Sequence, residues 1–556
     1  MEVYDSLDYM QIMRLWLEEC THNHRACILP ALDQRTFLPT RLLDVQAAGI
    51  GDDIRLVLGE SNDFHKSDVQ PDYVTLSHCW GLPEKHPLKT TKHSILQRMN
   101  RIALDDLSNT FQDAVRVTRQ LGKRYLWIDS LCIIQDDEED WAWESGLMSE
   151  VYSNAYCTLS ALSSKDGDGG CRVLSDIQGE LGPFLDLDVT DNEHGRCRIR
   201  VFRDEPLSFQ QSYGSDSDHR IQGYPDAPLR SRGWALQERE LSKRIIHFGK
   251  SLLLWECREL KSTSQLPWQT LDADNGINGL ADTKYPRKML TQDIHSSIMG
   301  RWCRLVEDYS SRFLTHHTDK FPALAGLARQ YQALIPKAKY LAGIWSTHLP
   351  GALLWLSLDK NARRYPNYLA PTWSWASLEG VISYESQQAK NSGDVVQDLP
   401  IGFDLEGIKL EKTNRSPKYD DAYGTIDHAS LVLSGTHLTA VDSVIEPNDN
   451  STTINGFDFL RKGGLEVGIF YPDVPKNDDH TGSLMCFNVR EEVHWSRTPK
   501  PRGLYEGEDI KFSDLFMCLI LVEDTQVKNR YRRIGLARWV KRNIFEGSKP
   551  GRIELV

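Results

Sequence analysis

At 556 residues and 63.5 kDa the chain is several times the length of a typical domain, which excludes a small stapled scaffold and predicts two or three domains with sizeable cores. A composition 40% hydrophobic and 26% charged, with 15 Trp and a mean hydropathy of -0.45, excludes both a disordered polymer and a membrane bundle. Lys+Arg 65 against Asp+Glu 78 leaves a net charge of -13, which argues against nucleic acid or an anionic membrane as a partner.

The opening Met1-Glu2-Val3-Tyr4-Asp5 has no basic segment leading into an apolar run, and the expectation is a cytoplasmic protein. The 11 scattered Cys are an odd number and fit reduced thiols better than a disulfide framework. Four residues near the start, Cys20, His22, His24 and Cys27, carry a Cys-x-x-x-His-x-x-Cys pattern with three soft ligands for zinc. The sequence shows no second compact Cys/His cluster to complete a tetrahedron, so ordinary helix-end packing is expected there, with no metal and no cofactor.

Tyr73 to Trp80 is a β-rich run closed by Gly81 and Pro83. From Thr110 the residues Phe111, Ala114, Val115, Thr118 and Leu121 recur at helical spacing, with Ser108 or Asn109 as cap and Gly122 as stop. Tyr125 to Ile134 is apolar on both faces and predicts a central parallel strand. Acidic residues 136–140 suit a helix N-terminus, followed by Trp141, Met148, Val151, Tyr152 and Ala155 on one face. Tyr156 to Leu162 predicts a third strand, and Lys165 to Gly170 a loop. This β-α-β-α-β order implies an α/β domain with a mainly parallel sheet flanked by helices.

Further on, Arg232 to Glu240 opens a helix, and Arg244 to Phe248 and Leu252 to Trp255 form strands joined at Gly249-Lys250. A helical region and then short alternating runs beyond about residue 400 predict a β-rich C-terminal domain. The expected organisation is an N-terminal segment (1–60) packing on the next domain, an α/β domain (61–260), a linker and helical region (261–380) and a β-rich domain (381–556).

In a sheet of this kind ligands belong at the carboxyl ends of the strands. That rule selects Ser77, His78, Cys79, Trp80 and Gly81 after the first strand, and Asp129, Ser130 and Gln135 at the end of the second. An ionised Asp129 at the mouth of a buried strand needs hydrogen-bond partners or a ligand; stabilising its own loop is the commoner task. Glu144, on an apolar helix face, is either a buried partner for an Arg or a pocket wall, the structural role being favoured. Cys79 and Cys132 lie in apolar strands, and His78 points to the face opposite Cys79, so a cysteine nucleophile is not expected.

The blocks Tyr73 to Gly81, Leu126 to Gln135 and Arg232 to Glu238 together resemble the heterokaryon incompatibility (HET) domain of fungal proteins. His78 stands where that family usually has Tyr. The resemblance implies an intracellular protein of self/non-self recognition and cell-death signalling, with a domain distantly similar to Toll-like receptor (TIR) domains. In enzymatic TIR domains a Trp-Cys-x-x-Glu segment supplies the glutamate that cleaves NAD. Here Trp234-Ala235-Leu236-Gln237-Glu238 keeps the spacing, with Ala235 in place of Cys. The resemblance therefore implies Glu238 as catalytic carboxylate, Arg232, Trp234 and Gln237 as substrate-binding neighbours, and NAD or another nucleotide-like molecule as substrate. Partners implied are a second copy or an incompatibility protein. Two readings stay beside this one: a non-enzymatic signalling module, in which Glu238 pairs with Arg232, Arg239 or Arg244, and a specialised-metabolism enzyme reusing the pocket.

Overall fold

The computed structural model describes residues 9–28, 37–47, 49, 51–59, 71–171, 184–191, 195–202, 227–250, 252–264, 267, 294–359, 361–384, 409–417, 422–444, 458–474, 484–491 and 515–556. The chain forms two compact units, Met1–Arg287 and Lys288–Val556. The first runs α1 (Tyr9–Asn23), α2 (Arg25–Ile28), β1 (Arg41–Asp44), β2 (Arg55–Leu58), β3 (Tyr73–Ser77), α3 (Ile95–Asn100), α4 (Asn109–Gln120), β4 (Tyr125–Trp127), α5 (Asp129–Cys132), α6 (Glu138–Asn154), β5 (Cys157–Ser160), β6 (Phe184–Asp191), β7 (Gly195–Phe202), α7 (Gly233–Leu241), β8 (Arg244–Phe248), β9 (Leu253–Cys257) and β10 (Lys261–Thr263).

Eight of these strands make one sheet in the order β10-β9-β8-β5-β3-β4-β1-β2, while β6 and β7 pair only with each other. Its centre, β8-β5-β3-β4, is parallel, as the alternation of strands and helices requires. Antiparallel strands extend both edges, the β8–β9–β10 hairpins on one side and β1–β2 on the other. Every residue of β3, β5, β8 and β9 is buried, consistent with cover on both faces. Helix α4 buries Phe111, Ala114, Val115 and Thr118 and stops at Gly122, whose φ is +72°. Helix α6 is capped by Asp137, whose side chain accepts from the amides of Glu139 and Asp140 at 3.1 and 3.4 Å.

The apolar run 125–134 behaves differently from a single strand. It stays extended only to Trp127; Asp129 then opens the helical turn α5, which buries Ser130, Leu131 and Cys132. A run apolar on both faces is compatible with a strand or a buried helical turn, and the change falls at the Asp. Glu144 on α6 meets Arg41, which holds Asp140 at 2.6 Å and Glu144 at 3.2 Å.

The second unit begins with α8 (Ile294–Ser310) and α9 (Pro322–Leu334), followed by short bridges around the buried Trp345, Trp355, Trp373 and Trp375. It continues with β11 (Lys409–Pro417), β12 (Ile426–Thr436), β13 (Leu438–Val444), β14 (Asp458–Lys462), β15 (Leu465–Pro472), β16 (Leu484–Glu491), β17 (Leu515–Glu523), β18 (Arg530–Lys541) and β19 (Gly551–Leu555). The ring β18-β15-β14-β13-β16-β17 closes on itself through β17–β18 pairing, so the β-rich region contains a barrel, filled by Leu460, Phe470, Cys486, Cys518, Ile520 and Val540 among others. Among the described residues no helix is long and apolar enough to cross a membrane.

Inside this unit Arg533 is a buried cation, held by Asp473 at 2.9 and 3.1 Å, with its guanidinium 3.4 Å from the centre of the Trp355 ring and donating to the carbonyls of Leu353 and Trp355. Removing it leaves Asp473 with the Arg364 guanidinium at 3.0 Å as its cationic partner among the described residues. Arg533→Met should therefore lower stability by roughly 3 kcal/mol, the cost of breaking a buried ion pair from one side. Urea unfolding followed by Trp fluorescence checks this, and a loss below about 1 kcal/mol would contradict it.

Candidate functional site

The parallel register places Ser77, Ser160 and His247 side by side at the carboxyl ends of β3, β5 and β8. Helix α7 lies against these strands and meets them through polar groups as well as apolar ones such as Ala235. Ser77 Oγ donates to Glu238 Oε2, and the Tyr152 hydroxyl hydrogen-bonds the same carboxyl. One turn further on, the Ser242 hydroxyl donates to the Glu238 carbonyl at 2.6 Å and sits 2.6 Å from the Thr158 hydroxyl, itself 2.7 Å from that of Thr75. Hydroxyls thus line the seam between helix and sheet, where each satisfies a partner that burial would otherwise penalise.

Glu238 is 1% exposed. Burial pushes its carboxyl up to about 7; the Arg232 guanidinium opposes that rise, the Asp129 carboxylate adds to it, and the bonds from Ser77 and Tyr152 pull it down. His78 is buried too, which drives its imidazole down to about 4 and keeps the ring neutral near pH 7. The thiols move the other way: burial pushes Cys79 up to about 11 and Cys132 up to about 12, so neither is a thiolate nucleophile at neutral pH.

Around Glu238 lies a partly exposed rim. Asp129, at the start of α5, accepts from Trp80 Nε1 at 2.9 Å and from the Ser130 amide at 2.7 Å. It stands 3.8 Å from His78 Nε2 and 3.9 Å from Arg232 Nη2. Arg232, with 24% of its side chain accessible, also donates to the His78 carbonyl. Gln135 donates to the Asp129 carbonyl at 3.0 Å and so ties the loop to its own strand end. Gly81 has φ +78°, and a Cβ there would lie 2.7 Å from Asp166 Cβ, so both conformation and space require glycine where the first block meets the 165–170 loop.

Of the residues selected from sequence, the fold brings Ser77, His78, Trp80, Asp129, Arg232 and Glu238 together. Ser130 is fully buried, and its hydroxyl has no hydrogen-bond partner among the described residues. Cys79 packs in an apolar cluster with Leu162, Ala227, Leu229, Ala235, Leu252 and Leu254. Gln237 is buried, and Trp234 meets Trp141 edge to face at 6.5 Å. Sequence reasoning placed Tyr152 only on an apolar helix face, and it passed over a second buried polar network. There Arg239 grips Glu256 with two bonds of 2.8 Å, and His247 joins Glu256 at 3.3 Å to Ser160 at 3.0 Å. The available signal was Glu256 itself, a carboxylate inside the otherwise apolar run 252–257.

Residues 73–238 match the family model described as Heterokaryon incompatibility protein (HET), and the chain carries a HET domain there. A curated relative, "Heterokaryon incompatibility protein 6, OR allele" of Neurospora crassa, is 28% identical over 191 residues, covering 30% of this chain and 27% of that protein. The chain thus spans about a quarter of the length of the relative it matches. No solved structure matches the chain.

The raised carboxyl makes stability depend on pH. Between its ordinary value of 4.5 and about 7 the folded protein keeps a proton that the unfolded chain releases, so stability falls as pH rises through that window. Glu238→Gln removes the titration. The stability of this variant relative to wild type should increase from pH 4.5 to pH 8 by up to about 3 kcal/mol, in unfolding curves of both proteins at the two pH values. A gap that does not change with pH would show that Glu238 is not the buried acid described.

Proposed function

We propose that the HET domain of this chain acts in fungal self/non-self recognition and cell-death signalling, and that it does so by cleaving NAD at the nicotinamide–ribose bond with Glu238 as the catalytic carboxylate. The recognition role is supported by the matched family and by the relative's name, both of heterokaryon incompatibility. The observation that carries the chemical reading is the buried Glu238 carboxyl, pushed up to about 7 at the end of a central parallel strand and bordered by Asp129 and Arg232. An ionised carboxylate in a dry site is what a developing ribosyl cation requires, and a value of about 7 leaves Glu238 partly ionised at neutral pH.

In this reaction the bond from C1′ of the ribose to nicotinamide breaks, and its electron pair leaves with the ring nitrogen. Water adds to C1′ and gives up a proton, so the products are nicotinamide, ADP-ribose and one proton. Because nicotinamide leaves from a cationic ring, it needs no general acid. Ionised Glu238 would take the ribose hydroxyls and offset the positive charge as it forms. Arg232, partly exposed on the rim, suits the pyrophosphate, and the Trp80 indole offers a stacking face.

The same burial also favours a second reading, since Glu238 is 1% exposed. In a closed structure the same carboxyl is a sealed link between α7 and β3, and the domain is an interaction module without chemistry.

Purified protein, concentrated enough to self-associate, should release nicotinamide from NAD, measured by chromatography. Glu238→Gln should lower the rate about a hundredfold or more, the effect of one electrostatic contact worth roughly 3 kcal/mol. Activity should rise as pH passes through about 7, where Glu238 ionises. Glu240 is an unsuitable control because it is buried 3.4 Å from Arg239; the exposed Glu138→Gln is the better one and should keep wild-type rates. No release from the wild type at any concentration would leave the interaction-module reading in place.

A further inference from the structure

Helix α1 buries Ile12, Met13, Trp16, Leu17 and Cys20, a stripe at helical spacing that carries its last turn onto the sheet edge. Trp16 stacks on Trp255 of β9 with ring centres 5.8 Å apart, and its Nε1 donates to the Pro267 carbonyl at 2.9 Å. The contact sets the end of α1 against the end of β9. Cys20 in the last turn of α1, His24 between the two helices and Cys27 in α2 converge there, and Cys257 at the end of β9 meets them from 233 residues beyond His24. Ligand atoms of these four residues all lie within 4.8 Å of one another, and the three thiols are buried and free of disulfide.

We propose that Cys20, His24, Cys27 and Cys257 form a structural zinc site that clamps the N-terminal helices to the edge of the sheet. Three thiolates and one imidazole are a standard closed donor set for a tetrahedral zinc ion, with no position left for water or substrate. Bonds of about 2.3 Å to sulfur and 2.0–2.1 Å to nitrogen put neighbouring ligand atoms roughly 3.5–3.8 Å apart, so the observed cluster needs only a small contraction. His24 already presents Nδ1 3.3 Å from Cys257 Sγ.

The surroundings also supply N–H donors to the sulfurs, independently of that spacing. The amides of Glu259 and Leu260 donate to Cys257 Sγ at 3.4 and 3.2 Å, so the turn after β9 wraps its sulfur in N–H groups. Arg244 Nε donates to Cys20 Sγ at 3.2 Å. A zinc ion with three thiolates and a neutral histidine carries a net charge of -1, and the Arg244 cation balances it. In the step itself one zinc(II) ion displaces three thiol protons and takes the lone pair of His24; nothing is oxidised or reduced. His22 stands outside the set, exposed and with Nδ1 2.7 Å from the Glu18 carbonyl. The N-terminal segment holds only three of the four ligands, and the sequence shows no second compact Cys/His cluster beside them. The fold supplies the missing quarter of the site as a single distant cysteine.

Elemental analysis of the full chain, purified without chelators, should find about one zinc per chain. Cobalt exchanged into the wild type should give the intense visible bands of a tetrahedral thiolate site. Cys257→Ser should lose zinc at least tenfold, while His22→Ala should keep it. Because losing a cysteine ligand can also unfold the chain, His24→Cys serves as the second test: it preserves four ligands and should retain both zinc and fold. Less than about a tenth of an equivalent of zinc in the wild type, together with no cobalt spectrum on reconstitution, would overturn the proposal. So would a disulfide between any two of the three cysteines as the main form in non-reducing peptide mapping, or an undiminished zinc content in folded Cys257→Ser.

Discussion

A carboxyl group sealed between a helix and a parallel sheet is the constraint on which the arrangement of the first unit depends. Taking Glu238 out of water is costly, and the described contacts give it hydroxyls, from Ser77 and Tyr152, with Arg232 acting from the rim. Glu256, buried on the neighbouring hairpin, receives a different environment: a bidentate guanidinium, an imidazole and Lys261 Nζ at 3.6 Å. That carboxylate is gripped on both oxygens by donors that carry or can carry charge. Glu238 is instead left close to the balance between its two protonation states, and such balance is found where a group is used as well as where it merely fits.

Much of this was legible in the sequence because the signals were local. The alternation of strand-like and helix-like runs gave the parallel centre, and the Tyr73 to Gly81, Leu126 to Gln135 and Arg232 to Glu238 blocks named the residues that converge at the strand ends. Gly81 was marked as a break, and the structure gives the reason in its positive φ and its contact with Asp166. What escaped was non-local or ambiguous. Periodicity in the run 125–134 does not separate a strand from a strand followed by a helical turn. Alternating runs beyond residue 400 announced strands but not that β17 would return to β18 and close a ring. Tyr152 was seen as apolar bulk because its ring packs in the core while only its hydroxyl reaches the acid. The partnership of Cys257 with His24 crosses 233 residues and follows from α1 docking on β9, which no spacing rule contains.

Closure of the site links the two halves of the proposed function. With Glu238 at 1% exposure, the described conformation is one that a ribose cannot reach, so the proposed NAD cleavage would require an open form. The apparent affinity for substrate is then the intrinsic affinity reduced by the fraction open, and anything that stabilises the open form raises it by the same factor. A recognition event has this leverage if it moves Arg232, because that side chain touches the His78 carbonyl, faces Asp129 and sets the charge felt by Glu238. Moving it would change the charge felt by the carboxyl and so its hold on the proton. Signal and chemistry would then share a residue, and a domain built in this way stays silent without needing any other part of the chain to block it.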